Sequence, residues 1–274
     1  MSIAVHSVLA LYTELLWDEK VLATGTSFYV ERGGLHFIVT NRHNVTGRNN
    51  DTDDLLGRTE PNQIRISGMT AQGKITTFAL RLYHQNGQPA WREHPTLGPR
   101  ADIVAIRFDH LGEKFMPIPI PNNEIDGIPP GSNADTNLGT LALAPGSELM
   151  AIGYPFGRTG GAQALGIWIR GTIATEPDVP FDDLPMFLMD ARTRRGQSGS
   201  PVFFHSSSGA VPFKGGDVKL GMMGVPYTQF VGIYSGRISE EADLGRVWTA
   251  EAVRAVLDSP RRGVSRLPTG QFEN

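Results

Sequence analysis

The stretch Gly196-Gln197-Ser198-Gly199-Ser200-Pro201-Val202-Phe203-Phe204 sets one serine in a glycine-flanked turn and runs directly into an apolar strand-like segment. Small flanking residues let a substrate backbone approach Ser198 Oγ closely. The same turn can aim the backbone N–H groups of Gly196 and Ser198 at one point, as an oxyanion hole. An ordinary glycine and serine turn has the same composition, so the meaning of this one depends on what the rest of the chain supplies.

Outward from this turn the chain reads as short strands. On the C-terminal side of residue 146 the apolar runs ELMAIGYP, ALGIWIRGTIA, MFLMDA, SPVFF, QFVGIYSG and GRVWTA alternate with turn residues, which predicts a small antiparallel barrel over residues 147–249. Residues 117–146 hold Pro117, Pro119, Pro121, Pro129 and Pro130 among Gly and Asn with no hydrophobic period, and read as a linker. Before it, LALYTELL, GTSFYVE, LHFIVTN, QIRISG, KITTFALRLY and DIVAIRF make a second set of about six strands, a first barrel within residues 1–116. Only AEAVRAVLD, Ala250 to Asp258, has helical spacing, with Val253, Val256 and Leu257 on one side; the tail from Pro260 to Asn274 is expected to fray. The fold class is therefore all-β, two antiparallel barrels with a C-terminal helix and tail over 250–274.

Composition agrees and narrows the function. Among 274 residues there are 32 Gly and 19 Pro, more turn formers than a helical protein carries. A net charge of -3 gives no overall field for nucleic acid or an anionic membrane. No run approaches the length of a bilayer span. The complete lack of Cys excludes disulfides, thiolate catalysis and Cys-based metal sites. The N-terminal stretch MSIAVHSVLALYTELLWDEK has no basic residue ahead of its apolar part and reads as a strand, not a signal peptide. Together with the missing Cys, this suggests a bacterial cytoplasmic protein.

A serine hydroxyl is inert at neutral pH without a base beside it. Phe37-Ile38-Val39-Thr40-Asn41-Arg42-His43 delivers a histidine just where a core strand gives way to polar residues. An imidazole base in turn needs a carboxylate to fix its tautomer, and Arg100-Ala101-Asp102-Ile103-Val104-Ala105-Ile106 offers Asp102 at the head of a strand, with Asp109 at its far end as the fallback. The other histidines (His6, His36, His84, His94, His110 and His205) are read as structural or surface residues. The sequon at Asn44 adjoins His43 and is discounted as a glycosylation site.

These segments, in the chain order His, Asp, Ser, resemble the trypsin-like peptidase superfamily: TNRHNV its histidine segment, ADIVAIRF its aspartate strand, GQSGSPVF its serine turn. GTSFYV, AIGYPFG and FVGIYSG look like further landmarks, so the resemblance covers roughly residues 9 to 257. It implies two perpendicular six-stranded Greek-key barrels with the active site between them, His43 and Asp102 from the first and Ser198 from the second. It also implies a serine endopeptidase acting on a protein or peptide substrate through an acyl-enzyme, with no metal or organic cofactor. A catalytically silent peptide-binding module, or an esterase using the same triad, fits the same residues.

Departures from the pattern carry information. Digestive members place an Asp before the nucleophile, where a new N-terminal amine meets it after zymogen cleavage. Gln197 stands there, so that switch cannot operate. Ser200 resembles the bacterial glutamyl endopeptidases of the V8 type. The substrate pocket is expected from Arg192, Thr193, Tyr234 and Ser235; Arg192 occupies the place of the trypsin-type acid, which disfavours cleavage after Lys or Arg, and Thr193 with three nearby arginines points to an acidic residue instead. The segment SSSGAVPFKGGDVKLGMMGVPYTQ is longer than a hairpin needs and is a candidate gating loop.

Overall fold

The computed structural model describes residues 3–128, 140–161, 164–214, 218–220, 226–239 and 241–264. Seven antiparallel strands form the first sheet: β1 (Ala10–Trp17), β2 (Lys20–Arg32), β3 (Leu35–Thr40), β4 (Gln63–Met69), β5 (Ile75–Arg81), β6 (Trp91–Arg92) and β7 (Val104–Phe108). Their order is β5-β4-β1-β2-β3-β7-β6, a curled sheet whose edges do not meet. Six further strands, β8 (Glu148–Gly153), β9 (Ile167–Ile173), β10 (Met186–Asp190), β11 (Pro201–Ser206), β14 (Tyr227–Arg237) and β15 (Leu244–Thr249), close into a barrel in the order β10-β15-β14-β11-β8-β9. Between β11 and β14, β12 (Ala210–Pro212) and β13 (Val218–Leu220) pair as a hairpin inside the expected gating loop, of which residues 215–217 and 221–225 lie outside the described residues.

The all-β reading holds, and each of the six runs expected for the second half became a barrel strand. The first half departs from a closed six-stranded barrel through β6, two residues too short to leave a hydrophobic period in the sequence.

Strand alternation explains why the two sheets form one body. In β2 and β3, Phe28, Val30, Phe37 and Val39 face a shared core, whereas Tyr29 and Ile38 point into the first sheet's own interior. Across the junction, β11 sends Phe203 into the shared core and Val202 and Phe204 into the barrel. Phe28 and Phe203 both meet Phe230 there, with ring centroids 5.6 and 5.8 Å away. Burying side chains of this size contributes about 1.5–3 kcal/mol each. The expected linker is not a free tether over its described part: Ile120 donates its N–H to Tyr29 O at 2.8 Å, and Ile125, in the short helix α2 (Asn122–Ile125), is fully buried in the shared core. Residues 129–139 lie outside the described residues.

The C-terminal helix α3 (Ala250–Leu257) starts where Thr249 Oγ1 accepts the Ala252 N–H at 3.3 Å, and buries Val253, Val256 and Leu257 as its spacing predicts. The tail corrects one expectation. Residues 260–264 do not fray: Gly263 N–H bonds Trp91 O at 2.9 Å and Val264 N–H bonds Glu93 Oε1 at 3.2 Å, so this segment extends the β6 edge. The remaining residues, 265–274, lie outside the described residues.

Candidate active site

His43 sits in α1 (Arg42–Thr46), one helical turn directly after β3, closed by Gly47 in the left-handed conformation with its N–H on His43 O at 2.9 Å. Two neighbours fix this turn. Val45 is buried in the first sheet's core, and the Arg42 guanidinium meets the Glu93 carboxylate at 3.2 Å with both side chains buried. Glu93 Oε1 also takes the Trp91 Nε1–H at 3.3 Å. Sequence reading expected a polar loop here, because five residues cannot display a helical period.

Asp102, immediately before β7, holds His43 twice. Its Oδ1 accepts the His43 backbone N–H at 2.9 Å, and its Oδ2 lies 2.7 Å from His43 Nδ1. Asn41 Nδ2–H in turn bonds the Asp102 carbonyl at 2.7 Å. An imidazole engaged at Nδ1 by a carboxylate has Nε2 left for a proton transfer. Asp109, the fallback, is exposed and lines a different cavity with His84, Arg107 and Phe108.

The serine turn precedes β11. Gly196 and Gly199 have φ of 92° and 90°, and a Cβ on either would collide with backbone, Tyr154 O for Gly196 and Thr26 O for Gly199. Within the turn, Gln197 N–H bonds Arg194 O at 3.1 Å, Ser200 N–H bonds Gln197 O at 2.9 Å, and Gly199 N–H bonds Tyr234 O at 2.9 Å. The N–H groups of Gly196 and Ser198 donate to nothing among the described residues. Their direction follows from their partners in the peptide plane. Phe156 N–H holds Arg195 C=O at 2.6 Å and Ser200 N–H holds Gln197 C=O. In a trans peptide the following N–H points the opposite way.

His43, Asp102 and Ser198 line one cavity of about 340 Å³ between the sheets, together with Asn49, Asp51, Leu56, Arg195, Ser235, Arg237 and Arg246. No hydrogen bond joins His43 to Ser198 among the described residues. Such bonds are commonly long in unliganded sites and tighten around substrate.

Of the expected pocket residues only Ser235 lines this cavity. Thr193 and Tyr234 are buried behind it, their hydroxyls hydrogen-bonded to each other, and burial pushes the Tyr234 phenol up to about 12 despite the opposing influence of Thr193, Arg237, Arg194 and Arg246. Arg192 points to solvent, its side chain 86% exposed and 3.9 Å from Asp243. The cavity's positive charge comes from Arg195, one of the three arginines noted beside Thr193, and from two that sequence reading did not single out: Arg237, and Arg246, which pairs with Asp51 across the sheets at 3.0 Å. Asn44, the sequon residue, is buried with its Nδ2 on Thr40 Oγ1 and Ser198 O. Among the other histidines, His36 bonds the Tyr29 hydroxyl, His205 the Thr228 hydroxyl, and burial holds His94 below its usual value. Among the described residues no group of His, Asp and Glu converges as metal ligands would, and no helix is long and apolar enough to cross a membrane.

The sequence pattern of the family described as Trypsin-like peptidase domain matches residues 25–211. The chain belongs to that family. The match takes in the segments of His43, Asp102 and Ser198 and parts of both sheets, from within β2 to within β12. No curated protein matches this trypsin-like peptidase. Among solved structures, the active form of the Rv3671c protease from M. tuberculosis is similar at 17% identity and a TM-score of 0.48, over 97% of this chain and 86% of that one. The serine endoprotease from Yersinia pestis is similar at 15% identity and 0.47, over 92% of this chain and 64% of that one. A thermostable serine protease from an extremophilic microorganism is similar at 11% identity and 0.48, over 90% and 94%.

Proposed function

We propose that this trypsin-like peptidase is a serine endopeptidase in which Ser198 is the nucleophile, His43 the general base and then acid, and Asp102 the group that orients and stabilises His43. The observation that carries the reading is the double hold of Asp102 on His43, at 2.9 and 2.7 Å, beside a cavity that Ser198 shares. Ser198 Oγ attacks the scissile carbonyl while its proton passes to His43 Nε2. The resulting oxyanion receives the N–H groups of Gly196 and Ser198. His43 returns the proton to the departing amine, which breaks the C–N bond and leaves an ester on Ser198. Water, deprotonated by His43, then adds to that ester and releases the acid.

The arginines of the cavity, Arg195, Arg237 and Arg246, support a preference for substrates with an acidic side chain next to the cleaved bond.

Labelling with a fluorophosphonate probe tests the mechanism. Wild-type protein should react and Ser198→Ala should not; wild-type protein that fails to label would instead favour a silent binding module. A labelled enzyme that cleaves small esters and no peptide would redirect the reading to an esterase.

A further inference from the structure

We infer that Thr26 is a positioning residue that locks the serine turn in its reactive shape, an inference that rests on the endopeptidase reading. Thr26 lies in β2 of the first sheet, directly against the turn, and is wholly buried. Its three polar groups all leave the sheet ladder. The N–H donates to Ser198 O at 2.8 Å, the carbonyl accepts the Thr40 hydroxyl at 2.8 Å, and the side-chain hydroxyl donates to Gly196 O at 2.7 Å while accepting the Tyr154 N–H at 3.2 Å.

That hydroxyl is the point at which three segments meet. Tyr154 begins the turn 154–157, in which Phe156 is held at a φ of 54°, a strained value for a bulky residue. It is the Phe156 N–H that fixes Arg195 C=O and so turns the Gly196 N–H away from it. Thr26 Oγ1 therefore holds both sides of the Gly196 residue: its carbonyl directly, and its N–H through Tyr154 and the Phe156 turn. A valine in place of Thr26 has nearly the same shape but leaves the Gly196 carbonyl and the Tyr154 N–H without a partner in a buried site.

At residue 197, next to the nucleophile, no charged side chain does this work. Gln197 is buried and uncharged, and its Oε1 accepts the Ser200 hydroxyl at 2.8 Å. Neutral hydrogen bonds from Thr26 and Ser200 hold the turn where a charge at residue 197 would need a buried partner. Asn44 adds a second tie from the first sheet, its Nδ2 on Ser198 O at 3.1 Å.

The test compares wild type, Thr26→Val and Thr26→Ser in the full chain, using saturation kinetics of fluorophosphonate labelling and crystal structures of the serine turn. Thr26→Val should lower the maximal labelling rate about 10- to 100-fold, as expected for misplacement of reacting groups by a fraction of an ångström to 1 Å, with the half-saturating probe concentration changed less than about threefold. Thr26→Ser, which keeps the hydroxyl, should return the rate to within about threefold of wild type. The Thr26→Val crystal structure should show the Gly196 carbonyl turned from its wild-type direction. A wild-type rate in Thr26→Val, or an unmoved 195–200 turn in its crystal structure, would overturn the inference; Thr26→Ala serves as a second hydroxyl-free variant if valine prevents folding. Wild-type protein that does not label would count against the endopeptidase reading, and the crystal comparison would still decide the role of Thr26.

Discussion

The serine turn and the wall of the cleft beside it are built in opposite ways. Residues 196–200 are fixed by buried neutral hydrogen bonds, several from the other sheet: Thr26 on Gly196 and Ser198, Asn44 on Ser198, Tyr234 O on Gly199, Gln197 on Ser200. The wall carries its charges at or near the surface, with Arg246 3.0 Å from Asp51 in a pair that is partly exposed. A buried donor left unpaired costs about 1–3 kcal/mol, whereas an exposed ion pair contributes about 0–1 kcal/mol. The turn therefore tolerates little change, and the wall can be altered cheaply. In the proposed endopeptidase, chemistry and selectivity would be separated along that line.

The hardest test of the rigid side removes the groups that meet at Ser198. Asp102→Asn should cut the catalytic rate about 10⁴-fold with little change in folding, because it leaves the imidazole in the wrong tautomer. Asp109→Asn should leave the rate unchanged. Equal losses in both variants, measured on one peptide substrate, would dissolve the assignment of Asp102. Next in size is Gly199→Ala. Its φ of 90° and the collision with Thr26 O predict a loss of about 1–3 kcal/mol in stability together with weaker labelling. Denaturant unfolding and labelling of the same preparation would show whether the two losses go together; a fully stable variant would mean that the turn is less constrained than its contacts suggest.

The same division decides what the sequence could disclose. The turn, His43 and Asp102 could be singled out as candidates because reactive chemistry needs particular residue types at strand ends, and the six barrel strands were legible because alternation fixes which face is buried. Thr26 was not, since a threonine in GTSFYV looks like any strand former until the fold brings Gly196 against it. Glu93 and the docked residues 260–264 were hidden for a related reason: their partner strand β6 has two residues and no period to detect. Proximity in sequence found part of the cleft's positive charge, since Arg195 lines the cavity, and missed the rest. Arg192 adjoins the turn in the chain but points to solvent, while Arg237 and Arg246 reach the cavity from β14 and β15. Position along a strand, as well as distance along the chain, determines which charges line the cavity.

On the adjustable side, Arg237→Glu should shift preference away from peptides with an acidic residue at the cleaved bond by about tenfold, equivalent to about 1.4 kcal/mol, with the fluorophosphonate labelling rate nearly unchanged. The preference of the wild type should itself weaken as salt is raised, since partly exposed charges are screened. A peptide panel read at low and high salt measures both. If Arg237→Glu left the panel unaltered, selectivity would have to reside in groups other than the cavity's charges.

The smallest expected effect lies where the two regions touch, at Tyr234, whose carbonyl takes the Gly199 N–H and whose hydroxyl bonds Thr193 behind the cleft. Burial raises its phenol from 10.0 to about 12, and Tyr29 is raised to about 12 as well. The unfolded chain then loses these protons first on going to high pH. Stability from the raised phenols is fully present below about pH 10 and is lost as pH rises through about 12. Tyr234→Phe removes one of the raised phenols. It should cost about 1 kcal/mol near neutrality, from the lost hydrogen bond, and should fall less steeply than wild type in the alkaline range. Thermal unfolding of both proteins across that range would separate the effects. Parallel curves would mean that Tyr234 is not protected from ionisation, and that the back of the cleft is open to water where the turn in front of it is not.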